Sequence, residues 1–126
     1  MPKSHIELGQ RGERIAVKFL KNYGYNIIST NYRTRLGQID IIAKDKKTIC
    51  FVEVKTRRTK RFGHPYEAVE TSKQRRINRV SLMYLKQNGL IDSPARFDVV
   101  SISYTDEQPK IELIKNAFEL DSRYLY

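Results

Sequence analysis

Thr48-Ile49-Cys50-Phe51-Val52-Glu53-Val54-Lys55 constrains the fold more than any other segment of the chain. Successive side chains of a strand alternate between faces, so Ile49 and Phe51 occupy one side and Cys50, Val52 and Val54 the other. A run that is apolar at both parities belongs to a strand covered on both faces, which calls for helices on each side of a sheet. The segment closes on Glu53 and Lys55, two charges that alternation sends to one face. Such a strand is central, and charges at its end need a reason.

The neighbouring segments supply the layers. Leu8, Ile15, Ala16, Phe19, Leu20 and Tyr23 recur at helical spacing from about Ser4 to Tyr23, with Ser4 as N-cap and Gly24 as the stop. Tyr25 to Arg33 and Ile39 to Ala43 read as strands, and Asp45-Lys46-Lys47 turns the second into the Thr48–Lys55 strand. After the loop Thr56 to Pro65, a second helix is predicted from about Tyr66 to Asn88, with Val69, Ile77, Val80, Tyr84 and Leu85 as its stripe and Gly89 as its end. Arg96 to Tyr104 and Lys110 to Ala117 form two further strands around a turn at Thr105 to Pro109. The expected architecture is an α/β layer structure, with helices against a mixed sheet. Residues 1–126, 40% hydrophobic and without repeat or linker, suit a single domain.

A formal charge of +10 attracts polyanions, so nucleic acid or an acidic membrane surface is the expected kind of partner; a merely lysine-rich, soluble surface is the alternative. Cys50 is the only cysteine, which excludes an internal disulfide and a four-cysteine zinc site and suits a reducing cytoplasm. Buried packing is its expected role, since no histidine lies near it to activate the thiol. Met1-Pro2-Lys3-Ser4-His5 opens a charged helical pattern rather than a signal core, and no run is long enough to span a bilayer.

Asp40 lies on the strand before Glu53-Val54-Lys55. Two carboxylates and an ammonium on adjacent strands suit phosphodiester hydrolysis: Asp40 and Glu53 as ligands of Mg²⁺, which takes one or two protein carboxylates and keeps its waters, and Lys55 beside the attacking water or the developing charge. The competing reading is a strand-surface pair between Glu53 and Lys55, worth little if exposed. These residues alone leave both readings open.

Several colinear motifs go further. Gly12-Glu13 with Ala16, Asn31-Tyr32-Arg33, Gly37-Gln38-Ile39-Asp40-Ile41-Ile42-Ala43, Phe51-Val52-Glu53-Val54-Lys55-Thr56-Arg57, Arg96-Phe97-Asp98-Val99 and Asn116-Ala117-Phe118 resemble the YraN family of bacterial proteins over nearly the whole chain. That family is similar to the PD-(D/E)XK nucleases, which include restriction endonucleases and Holliday-junction resolvases. The resemblance implies a restriction endonuclease-like αβββαβ core, an endonuclease-like activity on DNA with Mg²⁺ or Mn²⁺, and Asp40, Glu53 and Lys55 at the catalytic positions. It also implies a role for Glu13, which matches a helical glutamate of the related resolvases; a solvent-exposed glutamate paired with an arginine is the alternative. Gln38 departs from the family, which commonly has glutamate there. An amide oxygen can ligate but brings no negative charge: if the family's glutamate is a ligand, metal binds more weakly here or one ion replaces two, and if that residue is structural the change is mild.

Basic residues are expected to ring this site. Arg33 and Arg35 precede the Asp40 strand, Arg57, Arg58, Lys60 and Arg61 follow Lys55, and Lys73, Arg75, Arg76 and Arg79 crowd the second helix. On one edge they would grip phosphates without reading bases; singly, each is a solvated surface residue. Phe62 could stack on a base, although a loop anchor is its first reading, and His5 and His64 are unclustered. Tyr32, Tyr66 and Tyr84 are expected to pack, and Asp98 to pair with Arg96 or another basic residue. Three functions follow: a metal-dependent nuclease-like domain acting on branched or single-stranded DNA, a nucleic-acid-binding module with a degenerate site, or an interaction protein in repair or recombination. A homodimer would be the simplest way to cut two strands.

Overall fold

The computed structural model describes residues 5–57, 71–104 and 108–118. Helix α1 spans His5–Asn22, followed by strands β1 (Asn26–Thr34), β2 (Gly37–Asp45) and β3 (Thr48–Arg57). Helix α2 (Thr71–Gln87) leads to β4 (Ala95–Tyr104) and β5 (Pro109–Phe118). The five strands form one mixed sheet in the order β1-β2-β3-β4-β5, with β3 and β4 parallel and every other pair antiparallel. The αβββαβ core expected from the motifs is present, with β5 added at the edge beside β4, and β3 is the central strand.

Both helices stop where the sequence puts a glycine. Gly24 adopts φ 102° and Gly89 φ 67°, a left-handed conformation that costs glycine nothing. Each is followed by a backbone bond to the last turn, Tyr25 N to Leu20 O at 2.9 Å and Leu90 N to Leu85 O at 2.7 Å, which satisfies a terminal carbonyl.

The two faces of β3 are covered as its composition requires. On the α1 side, Ala16 and Leu20 pack with Ile41, Ala43, Cys50, Val52, Val100 and Ile102. On the α2 side, Ile77, Val80, Tyr84 and Leu85 pack with Ile39, Ile42, Ile49, Phe51 and Phe97. Tyr84 meets both Tyr32 and Phe51 edge to face, the packing role expected of the two tyrosines. Cys50 is fully buried, and burial pushes its thiol up to about 12.

Helix α1 lies close against the sheet at Gly12. A side chain there would run into the Thr56 methyl group on β3, so glycine lets the helix lie flat against the end of the central strand. That contact fixes the height of Glu13, the next residue, above the sheet.

Several boundaries differ from the sequence reading. β2 begins at Gly37 rather than Ile39, and β3 continues to Arg57. Asp45 still pairs with Thr48, so the hairpin turn is only Lys46-Lys47, with Lys46 at φ 56°. Tyr25 precedes its strand because its N–H closes α1. The expected start of α2 at Tyr66 lies outside the described residues.

A buried ionic network ties β4 to the β2–β3 hairpin. Asp98, with no exposed surface, accepts from Arg96 Nε at 2.9 Å, Tyr25 Oη at 2.9 Å and the Asn116 N–H at 2.9 Å. Arg96 reaches on to Asp45 at 2.7 Å, and this bond holds the Asp45 carboxyl below its usual range. The Asp98–Arg96 pairing is the one the sequence suggested. Asn116 is left-handed at φ 54°, at the point where β4–β5 pairing slips between Phe97 and Val99. The aspartate thereby takes up a backbone donor that the strand irregularity leaves over.

Candidate active site

The same device recurs at Asp40 on β2. Pairing between β1 and β2 joins Thr30 to Ile41 and Tyr32 to Ile39, skipping Asn31 and Asp40. Asn31 is left-handed at φ 53°, and the strands turn over at this step. Ile41 belongs to the core under α1, whereas Ile39, two residues earlier, belongs to the core under α2. Simple alternation would place both on one face. Pairing of β2 with β3 reaches Ile41 and Val52, and beyond that point β3 pairs only with β4. The Val54 N–H, which the β2 ladder no longer reaches, donates instead to Asp40 Oδ2 at 2.8 Å. Asp40 is thus fixed where the two strands part.

The opening is a cleft on each side of Asp40. On the α2 side, a cavity of about 430 Å³ is lined by Asp40 and Gln38 with Glu53, Lys73, Arg76 and Arg35. On the α1 side, one of about 290 Å³ is lined by Asp40 and Gln38 with Glu13, Asn31, Arg33 and Thr56. Asp40 and Gln38 form the wall between the two.

Electrostatics single out Glu53. It is only 7% exposed, and burial, followed by the neighbouring Asp40 charge, pushes its carboxyl up to about 7. Lys73 opposes this shift across an ion pair of 2.8 Å but does not cancel it. Lys55 is half-buried; burial and the nearby Lys73 ammonium lower its pKa, against the pull of Glu53 and Asp40. Glu53, Lys55, Lys73 and Asp40 therefore share one electrostatic neighbourhood, as the Glu-x-Lys spacing predicts for its own two members. Glu13, half-buried, is also raised, first by burial and then by Asp40. It accepts from Asn31 Nδ2 at 3.4 Å, while Gln38 Nε2 donates to Asn31 Oδ1 at 3.4 Å and to Asp40 Oδ1 at 3.1 Å.

The predicted residues fall into groups. Asp40 and Glu53 share the α2-side cavity, whereas Glu13 shares the other cavity with Asp40 and does not line the same space as Glu53. Among the described residues, no three histidine, cysteine, aspartate or glutamate side chains form a ready cage for a metal ion. Arg33 lines the Glu13 cleft, and Arg35, Lys73 and Arg76 the Glu53 cleft. Arg75 and Arg79 are exposed on α2 and line neither, and Arg57 ends β3. Arg58, Lys60 and Arg61 lie outside the described residues, as do Phe62, His64 and Tyr66. Two participants escape a reading by spacing. Lys73 appears in the sequence only as one more helical cation, and Asn31 only as part of a motif, yet one pairs with Glu53 and the other joins Glu13 to Gln38.

Fold and site together define a class: a two-helix, five-stranded mixed α/β sheet with a pair of carboxylates and two lysines at the edge where β2 and β3 diverge. The comparisons give the family. Residues 12–102 match the model of the uncharacterised protein family UPF0102. A UPF0102 protein of Desulfosudis oleivorans is 50% identical over 113 residues, 90% of each chain. One from Geobacter metallireducens is 49% identical over 113 residues, covering 90% of this chain and 93% of its own. Another from Alkaliphilus metalliredigens is 50% identical over 111 residues, covering 88% and 96%. The chain belongs to the UPF0102 family, the YraN family that its motifs resemble. The αβββαβ core is compatible with that of the PD-(D/E)XK nucleases. No helix among the described residues is long and apolar enough to cross a membrane.

Proposed function

We propose that this protein is a divalent-metal-dependent phosphodiesterase acting on nucleic acid, with DNA as the expected substrate. The observation that carries the reading is the buried Glu53 beside Asp40, with its carboxyl pushed up to about 7. Stability alone does not favour two carboxylates in one cleft; a cation between them relieves their repulsion. The donor set fits Mg²⁺ or Mn²⁺, since two carboxylates with open solvent on one side leave room for retained waters. The Lys73 ammonium, 2.8 Å from Glu53 Oε1, supports a site that takes positive charge. Asp40 and Glu53 would hold the ion, whose chemistry is to activate water and to neutralise charge on the phosphoryl oxygens.

The protein's own groups do the remaining work. The Val54 N–H holds the Asp40 carboxylate in place at 2.8 Å and leaves its second oxygen toward the cleft with Gln38. Lys55, half-buried and lowered, orients the incoming water and stabilises negative charge as the phosphorus–oxygen bond breaks. Arg35 and Arg76 at the cleft mouth hold flanking phosphates without reading bases.

One observation favours a second reading, a binding module without turnover. Gln38 and Lys73 already satisfy Asp40 and Glu53 from within the protein, and Gln38 brings no third negative charge. The assay is cleavage of labelled single-stranded, flap and junction DNA in Mg²⁺ or Mn²⁺. Activity lost in both Glu53→Ala and Lys55→Ala, with DNA binding retained, supports the nuclease. Cleavage indifferent to both substitutions refutes it, and tight, salt-sensitive binding without cleavage assigns the chain to the second reading.

A further inference from the structure

The clefts do not end at Glu13. A third, of about 470 Å³, lies between α1 and β1, the edge strand of the sheet, and shares Gln10, Glu13 and Asn31 with the α1-side cleft of the site. Its remaining wall is Arg14, Lys18 and Lys21 with Val17 and Thr30. All three cations are exposed, and they follow at spacings of four and three along α1, which stacks them on one side of the helix. Among the described residues, none of the three has an ion pair with a carboxylate. Glu13, at the end nearest the site, is the only acid among the described lining residues.

The geometry points to a track for one strand of nucleic acid along the α1–β1 groove, with phosphates on Arg14, Lys18 and Lys21. The inference rests on the proposed phosphodiesterase reading and adds where the substrate strand runs. Seven residues of helix rise about 10 Å from Arg14 to Lys21, enough to meet successive phosphates of one strand, whose rise in the stacked duplex is about 3.4 Å. The groove opens at Glu13 and Asn31 onto Asp40, so a strand laid along it passes into the cleft between β2 and β3. There Arg33, and past Asp40 Arg35, Lys73 and Arg76, continue the line of positive charge. Carboxylates at the middle of a path with cations at both ends place the reacting phosphate opposite Asp40 and Glu53. Half-buried Val17 gives sugar or base an apolar surface between the basic side chains. Groove contacts of this kind attract any sequence equally, because they engage only the backbone.

The test measures binding without cleavage. Affinity of the full chain for a labelled single-stranded oligonucleotide is followed against salt in EDTA, for the wild type, for R14Q/K18Q/K21Q and for K44Q/K47Q/K86Q. The last variant removes the same charge from exposed positions at the far end of the sheet. Each lost contact lowers the slope of log affinity against log salt by about 0.7 on a single strand, so the groove variant is expected to lose about 2 from its slope and the far-end variant much less. Equal losses in the two variants, or an unchanged slope in the groove variant while R35Q/K73Q/R76Q loses it, overturn the track and leave the nucleic-acid reading standing. An acidic peptide bound by the wild type in the groove's place, with no oligonucleotide bound at any salt concentration, overturns both.

Discussion

Replacing Glu53 with glutamine keeps the shape of the side chain and removes its charge, so the stability difference between the two chains reports the cost of ionisation at that position. Burial and Asp40 raise the carboxyl from 4.5 to about 7, against the opposing Lys73 pair. The interval corresponds to about 3 kcal/mol between the two protonation states. A raised folded-state pKa gives a contribution that is fully present below 4.5 and is lost as pH climbs through about 7. The wild type is therefore expected to lose about 3 kcal/mol relative to Glu53→Gln between roughly pH 4.5 and 7, at about 1.4 kcal/mol per pH unit, and little more above that. Urea unfolding of both chains over a pH series measures the difference directly, with constant m values confirming that the same unfolding is compared. A flat difference curve refutes the reasoning. A curve of opposite sign shows that the Lys73 ion pair outweighs burial and repulsion from Asp40, and removes the main ground for a cation between the carboxylates.

Three further outcomes follow from the structure. Gly12→Ala drives a methyl group into Thr56 and should cost about 1–3 kcal/mol in denaturant unfolding; Thr56→Ala in the same chain should recover part of the loss. Arg96→Met strips the fully buried Asp98 and half-buried Asp45 of their shared partner. A loss of about 3–5 kcal/mol is expected, with nucleic-acid affinity at permissive temperature unchanged because Arg96, Asp98 and Asp45 line neither cleft. Cys50, buried and pushed up to about 12, should react with a thiol reagent at pH 8 only at the rate of unfolding; fast labelling of the native chain contradicts its placement.

The fold was legible where one segment carries its own reason. β3 announces two covered faces through Ile49, Phe51, Cys50 and Val52, and Gly24 and Gly89 mark helix ends that only a left-handed residue closes so cheaply. The Glu-x-Lys spacing likewise put Glu53 and Lys55 together, because period two acts within a single strand. Alternation fails at Asp40, because left-handed Asn31 on the neighbouring strand turns the faces over between Ile39 and Ile41. Asparagine is one of the few residues that accept this conformation, so Asn31 held a signal that strand periodicity alone does not use. Lys73 and Glu53 meet only after α2 crosses the sheet, and Arg96 finds Asp45 across 51 residues. Pairings of that kind belong to tertiary packing, and local pattern carries no trace of them.

The central claim is that Asp40 and Glu53 together hold a divalent cation. A crystal soaked in Mn²⁺ and measured at the manganese absorption edge tests it most directly. The account predicts an anomalous peak between the two carboxylates, with oxygens at about 2.1 Å and the Lys73 ammonium withdrawn from its 2.8 Å pair with Glu53. No peak there at saturating Mn²⁺, with the Lys73–Glu53 pair intact, would contradict it.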